Sequence, residues 1–377
     1  MRIFIEPTEP LLFRTGRPFD AGESNFAESI FPPTPETLQG ALRAMIATHW
    51  SHKLSLAQAF NDPSLTSLIG DRNGYGRFRI TGMALGQYNL KTPEKVERLF
   101  PPPAHIMQDE ESTFRLIPQA IEETQMRCNL PLGIRHLLWP EKKKTKGKLK
   151  PLRGWLTETN LKKALNASED LATLKTVRDD EIFQYEPRLG IAMNSAKKTT
   201  EEGFLYQMQM IRMQPYYGFA VDIHLSTTDT NATTPINETW SDDSEIQSLL
   251  HLPQEGQMTL GGEQRAAHFR VLEPVTESSI KKSQSSRLLY LATPAYFSKG
   301  WKPSAPFDTP ITAAINRSEL IGGWKLNPGN AGGESKLTRR CAPAGSVYFF
   351  QELAPVTQPL TEYGWQIGYG IAYTGEY

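Results

Sequence analysis

Cysteine is almost missing from this chain. Cys128 and Cys341 are the only two in 377 residues, which excludes a disulfide framework and a cysteine-rich metal site. Long apolar runs are missing as well. None approaches the ~18 residues that a membrane-spanning helix needs, and the opening MRIFIE carries charge at positions 2 and 6, unlike a secretory leader. No membrane contact and a cytoplasmic location are therefore expected. A net charge is missing too: forty-one basic residues balance forty-one acidic ones. That balance argues against a free-standing protein that coats nucleic acid, while leaving room for a local basic stripe. There is no Walker-type G-x-x-x-x-G-K-S/T and no G-x-S-x-G, and no repeat with a period of 20–50 residues, so a solenoid is excluded. The Gly-rich GYGIAYTG has only two residues after Gly375, too few for the helix that a dinucleotide fingerprint requires.

What is present is an ordinary globular composition, 39% hydrophobic and 22% charged. Short strands mixed with few helices point to an α+β fold, and the length points to two domains. FPPTPETLQGALRAMI reads as a helix with its start built in. Thr34 caps it, Pro35 takes the first turn and Glu36 favours the positive end. Leu38, Ala41, Leu42, Met45 and Ile46 make one apolar stripe. The other face carries Gly40 and Ala44 beside Arg43, although a mid-helix glycine costs about 1 kcal/mol against alanine. Strands are expected at 2–6, 77–85, 216–225, 268–273, 287–297, 345–353 and 366–373. RLGIAM and FLYQMQMIRM read as a hairpin whose polar tip carries Lys197 and Lys198. In 216–225, Tyr217, Phe219, Val221 and Ile223 share one face, and Gly218, Ala220 and Asp222 share the other. In 366–373 the bare face belongs to Gly368, Gly370 and Ala372. A strand glycine marks a close approach by another backbone. Residues 91–125 and 140–180 read as insertions, the second opening with the lysine run of 142–150.

Several cations stand beside glycine. Arg14 and Arg17 flank a Gly-containing loop, as planar forks suited to phosphate. Gly261 and Gly262 precede Arg265, and Arg339 and Arg340 follow another glycine pair. Tyr216, Tyr217 and Trp324 are candidate stacking planes, with core packing as the alternative. His49, His52, His105, His136, His224, His251 and His268 form no metal-ligand pattern, and no cofactor is expected. One of them acting as general acid or base would serve a metal-independent endoribonuclease, the alternative to a binding protein.

Together LLFRTGRPFDAG, FPPTPETLQGALR, RLGIAMNSAKKTTEEGFLY, LGGEQRAA, RRCAPAGSVYFF and GYGIAYTGEY resemble the third Cmr subunit of type III-B CRISPR effector complexes, a Cas-five-like RAMP family. The resemblance implies two ferredoxin-like (RRM-like) domains packed face to face, here 1–185 and 186–377, with a thumb hairpin near 188–213. It implies a non-catalytic subunit that holds the 5′ tag of the CRISPR RNA, next to the large polymerase-like subunit and a neighbouring backbone RAMP subunit. Arg14, Arg17, Gly40, Arg43, Gly261, Gly262, Arg265, Arg339 and Arg340 would line the RNA path, with Lys197 and Lys198 on the thumb.

Overall fold

A computed structural model describes residues 1–15, 26–50, 56–71, 74–92, 95–124, 129–131, 133–141, 146–194, 199–227, 240–272, 286–326, 333–356 and 359–377. Its centre is an antiparallel sheet. The sheet is built from β1 (Arg2–Pro7), β2 (Phe78–Tyr88), β3 (Val96–Phe100), β4 (Leu156–Thr157), β5 (Tyr217–Leu225), β6 (Glu255–Thr259) and β7 (Ala266–Leu272), in the order β6-β7-β1-β5-β2-β3-β4. The first strand is paired on both sides, with β5 and with β7. The sheet thus draws strands from both sides of the 185/186 boundary. The fold is α+β and strand-dominated, with several smaller sheets around this one.

The helix α1 (Pro35–Trp50) begins where the proline signal places it. Its stripe of Leu38, Ala41, Leu42, Met45 and Ile46 is buried, packed in one cluster with Ile3, Ile5, Phe219, Val221 and Phe269 of the sheet. Each fully buried aliphatic side chain contributes about 1.5–3 kcal/mol. The pairing of β2 with β5 slips by one residue between Asp222 and Ile223. This bulge moves the core-facing set of β2 from Phe78 and Ile80 to Met83 and Leu85.

The other face of β2 and β5 is the bare face of the sequence, and the chain fills it itself. Gly82, Ala84 and Gly86 pair with Asp222, Ala220 and Gly218. A Cβ on Gly86 would lie 2.7 Å from Val96 and 3.0 Å from Phe4, and one on Gly218 would lie 2.1 Å from the carbonyl oxygen of Ile5. The backbone that comes close to Gly218 therefore belongs to β1. Residues 366–373 also depart from expectation. Trp365–Ile367 is a 3-10 turn, and strand begins only at Ala372–Gly375. Gly368 and Gly370 take φ of +99° and +67°, which a strand does not accommodate. A Cβ on Gly370 would sit 2.5 Å from the carbonyl oxygen of Leu360.

The segments read as insertions are divided differently. Val96–Phe100 and Leu156–Thr157 belong to the central sheet. A peripheral sheet forms between them from His136–Pro140, Thr113–Ala120, Ile106–Gln108 and Lys150–Pro151. Only Lys146, Lys148 and Lys150 of the lysine run lie in the described residues, and Lys146 pairs with Glu111. The hairpin is present as Phe183–Asn194 and Thr199–Met213, with Phe26–Ala27 alongside in parallel. Beyond the central sheet, Leu288–Leu291 pairs with Val347–Phe349 and Ala372–Gly375, while Arg339–Ala342 pairs with Ala295–Tyr296 and Glu319–Ile321.

A charge network ties this arrangement together. Arg2 donates to both carboxylate oxygens of Asp222, at 2.5 and 2.9 Å. Arg98 donates to Glu158 at 2.9 and 2.7 Å and to Asp222 at 3.3 Å. Burial pushes both carboxyls up, but the guanidiniums outweigh it and hold both below their ordinary values. Replacing Arg98 by methionine leaves carboxylate charge half-buried, so urea unfolding should show a loss of about 3 kcal/mol. A carboxylate whose folded pKa is depressed contributes stability above its unfolded value and loses it as pH falls through the folded one. Stability should therefore drop below about pH 4 in the wild type, and less steeply in Arg98→Met.

Candidate functional site

The outer face of α1 answers the glycine question only in part. Gly40 is exposed, and a Cβ placed on it meets nothing within 4 Å. Nothing among the described residues approaches it. Arg43 is already engaged: its Nη2 donates to the carbonyls of Gly70 at 2.6 Å and Asp71 at 3.0 Å, and its guanidinium lies 5.5 Å from the Phe60 ring centre. That role fixes the loop after Pro63–Ile69 and restrains Arg43 from swinging freely to a ligand.

One turn earlier on α1 stands Glu36. Its two carboxylate oxygens accept hydrogen bonds from Tyr363 Oη at 2.8 Å and Tyr369 Oη at 2.9 Å. Burial first, and then the Glu36 charge, push both phenols well above their ordinary values. Arg339 lies 3.7 Å above the Tyr363 ring and 5.7 Å from that of Tyr296. Tyr75 is half-buried against the same group, raised by burial and by Glu36. The result is a guanidinium stacked on tyrosine beside the open helix face. Arg340, next in sequence, is exposed.

A second group forms around residues 8–15. Gly262 donates its N–H to the carbonyl of Leu12 at 2.8 Å. A Cβ on Gly261, whose φ is +78°, would lie 2.8 Å from the same oxygen. The close approach at this turn is therefore by the chain's own backbone. Arg265 pairs with Glu263. Arg14 is exposed and bridges to Ser29, whose hydroxyl donates to Gln209 of the hairpin at 2.6 Å. Leu11 bridges to Ile211. Arg14, the Gly261–Arg265 turn and the hairpin base thus converge. Arg17, Lys197 and Lys198 lie outside the described residues.

Of the candidate stacking planes, Tyr216 is 45% exposed, Tyr217 packs against the main core, and the Trp324 side chain lies outside the description. The planes beside the cations are Tyr363, Tyr296 and Tyr75. Sequence separation hides them: Glu36 and Tyr369 are 333 residues apart. His105, His224 and His49 have structural settings, and His52 lies outside the described residues. His105 is fully buried and pushed down to about 3, by burial and then Arg115. His224 is lowered by burial and by the N-terminal amine. His49 packs edge-on to Phe269.

With this geometry in hand, comparison with known proteins is decisive. The family model described as "CRISPR-associated protein (Cas_Cmr3)" matches residues 3–377. The chain belongs to this family. The segments quoted from the sequence anticipate this family. No curated protein matches it. Among solved structures, a chain of the Type III-B Cmr-beta bound to cognate target RNA and AMPPnP, state 1, is similar at TM-score 0.50 and 16% identity. That match covers 93% of this chain and 86% of that one. A chain of the Cmr-beta bound to cognate target RNA follows at TM-score 0.49 and 16% identity, over 93% and 86%. A chain of a Csm1-Csm4 cassette in complex with AMPPNP reaches 0.31 and 11% identity, over 100% and 96%. At these identities the likeness to the first is one of fold.

Two substitutions separate packing from an open surface. Tyr369→Phe removes a hydrogen bond to a charged acceptor and should lower stability by about 1–3 kcal/mol in thermal unfolding. Gly40→Ala fills open space on a helix and should raise the stability of the Cmr3-family chain by about 0.5–1 kcal/mol.

Proposed function

We propose that this chain is a non-catalytic RNA-binding subunit of a type III-B effector complex. In this reading it holds the 5′ tag of the CRISPR RNA, docks the large polymerase-like subunit, and adjoins a backbone RAMP subunit through two ferredoxin-like units. One observation carries the reading. The α1 face keeps Gly40 open in the folded chain, at a cost in helix stability, beside a guanidinium stacked on tyrosine. An RNA strand approaching there would meet unobstructed helix, and Arg339 stacked on Tyr363 would supply cation and plane. The Cmr-beta complex that shares the fold is described as bound to cognate target RNA, which supports the assignment.

The balanced charge of the chain fits a protein whose surface is divided between RNA and other subunits. Arg43 and Arg265 act as positioning residues in this scheme, because their guanidiniums are held by Gly70, Asp71 and Glu263. The endoribonuclease alternative would have to use a histidine outside the core, such as His136, His251 or His268.

In a complex reconstituted with guide RNA, Arg339→Ala and Arg340→Ala should each weaken binding of the tag by about 1–3 kcal/mol where they make a good contact. Gly40→Glu should weaken it further while the chain remains folded. Unchanged tag affinity in all three variants removes the α1 face from the RNA path. Incubation of the isolated chain with precursor RNA in EDTA should yield no discrete cleavage. Cleavage abolished by one His→Ala change would establish an enzyme instead.

A further inference from the structure

Between the two groups of site residues lies a cavity of about 650 Å³. It opens beside the start of α1, with residues 28–34 on one wall, β2 and β3 behind, and Glu319–Ile321 at the mouth. At ~30 Å³ per molecule it has room for about twenty waters, yet its walls are largely apolar: Phe31, Leu38, Leu85, Phe100, Trp155 and Phe219 among them. The apolar character continues outside: Leu320, one of the lining residues, is 61% exposed, and an apolar hollow that reaches the surface through an exposed leucine suits a protein partner.

Among the described residues the charged lining has one sign: Glu319 and the exposed Glu28 line the cavity, and no lysine or arginine does. Glu319 forms no hydrogen bond or ion pair among the described residues, and burial alone pushes its carboxyl up to about 7. Leaving a half-buried carboxyl without a partner is costly, and an incoming cation removes the cost. Acidic, apolar walls repel a phosphate strand, so the occupant is not the RNA backbone itself. They suit an apolar stem that ends in a cation.

We propose that this cavity is a docking socket for a segment of another protein subunit of the complex, an apolar segment that inserts one lysine or arginine to pair with Glu319. The proposal rests on the effector-subunit reading and adds to it the position and chemistry of the subunit contact. Arg340, opposite Leu320 across the strand pair, lies outside the socket and is the feature that would favour RNA at its mouth.

The test places a photo-reactive benzoylphenylalanine at position 320 in the full chain, assembled into the complex with guide RNA. A cross-link to a peptide of another subunit that is apolar and contains lysine or arginine is expected. In the same complex, Glu319→Gln should weaken association with that subunit at least tenfold, while the free chain keeps its melting temperature or gains slightly. Leu320→Asp, a surface change, should weaken it as well. Three results overturn the proposal while leaving the effector-subunit reading intact: cross-links to guide RNA only, an assembled complex without cross-links at this position, or unchanged association of Glu319→Gln. A wild-type chain that never enters the complex overturns both.

Discussion

The structure hangs on Asp222. Its carboxylate lies on the face of β5 where glycine and alanine leave space, and two guanidiniums reach it from opposite sides. Arg2 comes from β1, its direct pairing partner, and Arg98 from β3 on the far side of β2. A Cβ on Gly82, the residue that faces Asp222 across the strand pair, would lie 2.2 Å from this carboxylate. The small residues on this face are therefore the condition for burying a charge network within the sheet. Such networks contribute little net stability against apolar replacements, but removing one member is expensive. The network accordingly acts as a register device. A one-residue slip of β5 would pull Asp222 away from both arginines and turn Val221 and Ile223 out of the core.

With the sheet fixed, α1 can only lie in one way, because its apolar stripe has one place to go. Its first turn then meets the C-terminal segment, where Glu36 collects the hydroxyls of Tyr363 and Tyr369. This second polar contact couples the first helix to the last forty residues of the chain. It explains why Gly364, Gly368 and Gly370 bend the backbone there: the turns bring two tyrosines back to one carboxylate. The same closure presents the Tyr363 ring on which Arg339 stacks.

The local parts of this architecture were legible in the sequence. The Pro35 start and the Leu38–Ile46 stripe give the helix, alternation from Tyr217 to Leu225 gives β5, and the turn between Met193 and Phe204 gives the hairpin. What the sequence could not show was which neighbour each bare face meets. Gly86, Gly218, Gly261 and Gly370 each face the chain's own backbone or side chains, whereas Gly40 is open. A glycine reports that something comes close, but sequence cannot say whether that neighbour is residue 5, residue 12 or a different molecule. The ends of the prediction failed for a related reason. Alternation at 366–373 imitates a strand, yet positive φ at Gly368 and Gly370 converts it to a turn, and alternation carries no information on the sign of φ.

The cations taught the opposite lesson. Arg43 and Arg265 stand next to glycine as Arg339 does, and the pattern treats them alike. In the fold, Arg43 is held by two carbonyls and Arg265 by Glu263, while Arg339 is held mainly by rings. A guanidinium saturated by carbonyl and carboxylate acceptors must break those bonds to bind an anion. One stacked on tyrosine keeps most of its five donors available and is already oriented. The difference is one of preorganisation, and it ranks residues that a motif leaves equal. The same reasoning applies to carboxylates. Asp222 and Glu158 are satisfied by arginines and serve the fold, whereas Glu319 lines an apolar hollow with its hydrogen-bonding capacity unspent among the described residues. Among the charged groups of this chain, those left incompletely satisfied within the fold are where a partner gains the most by arriving.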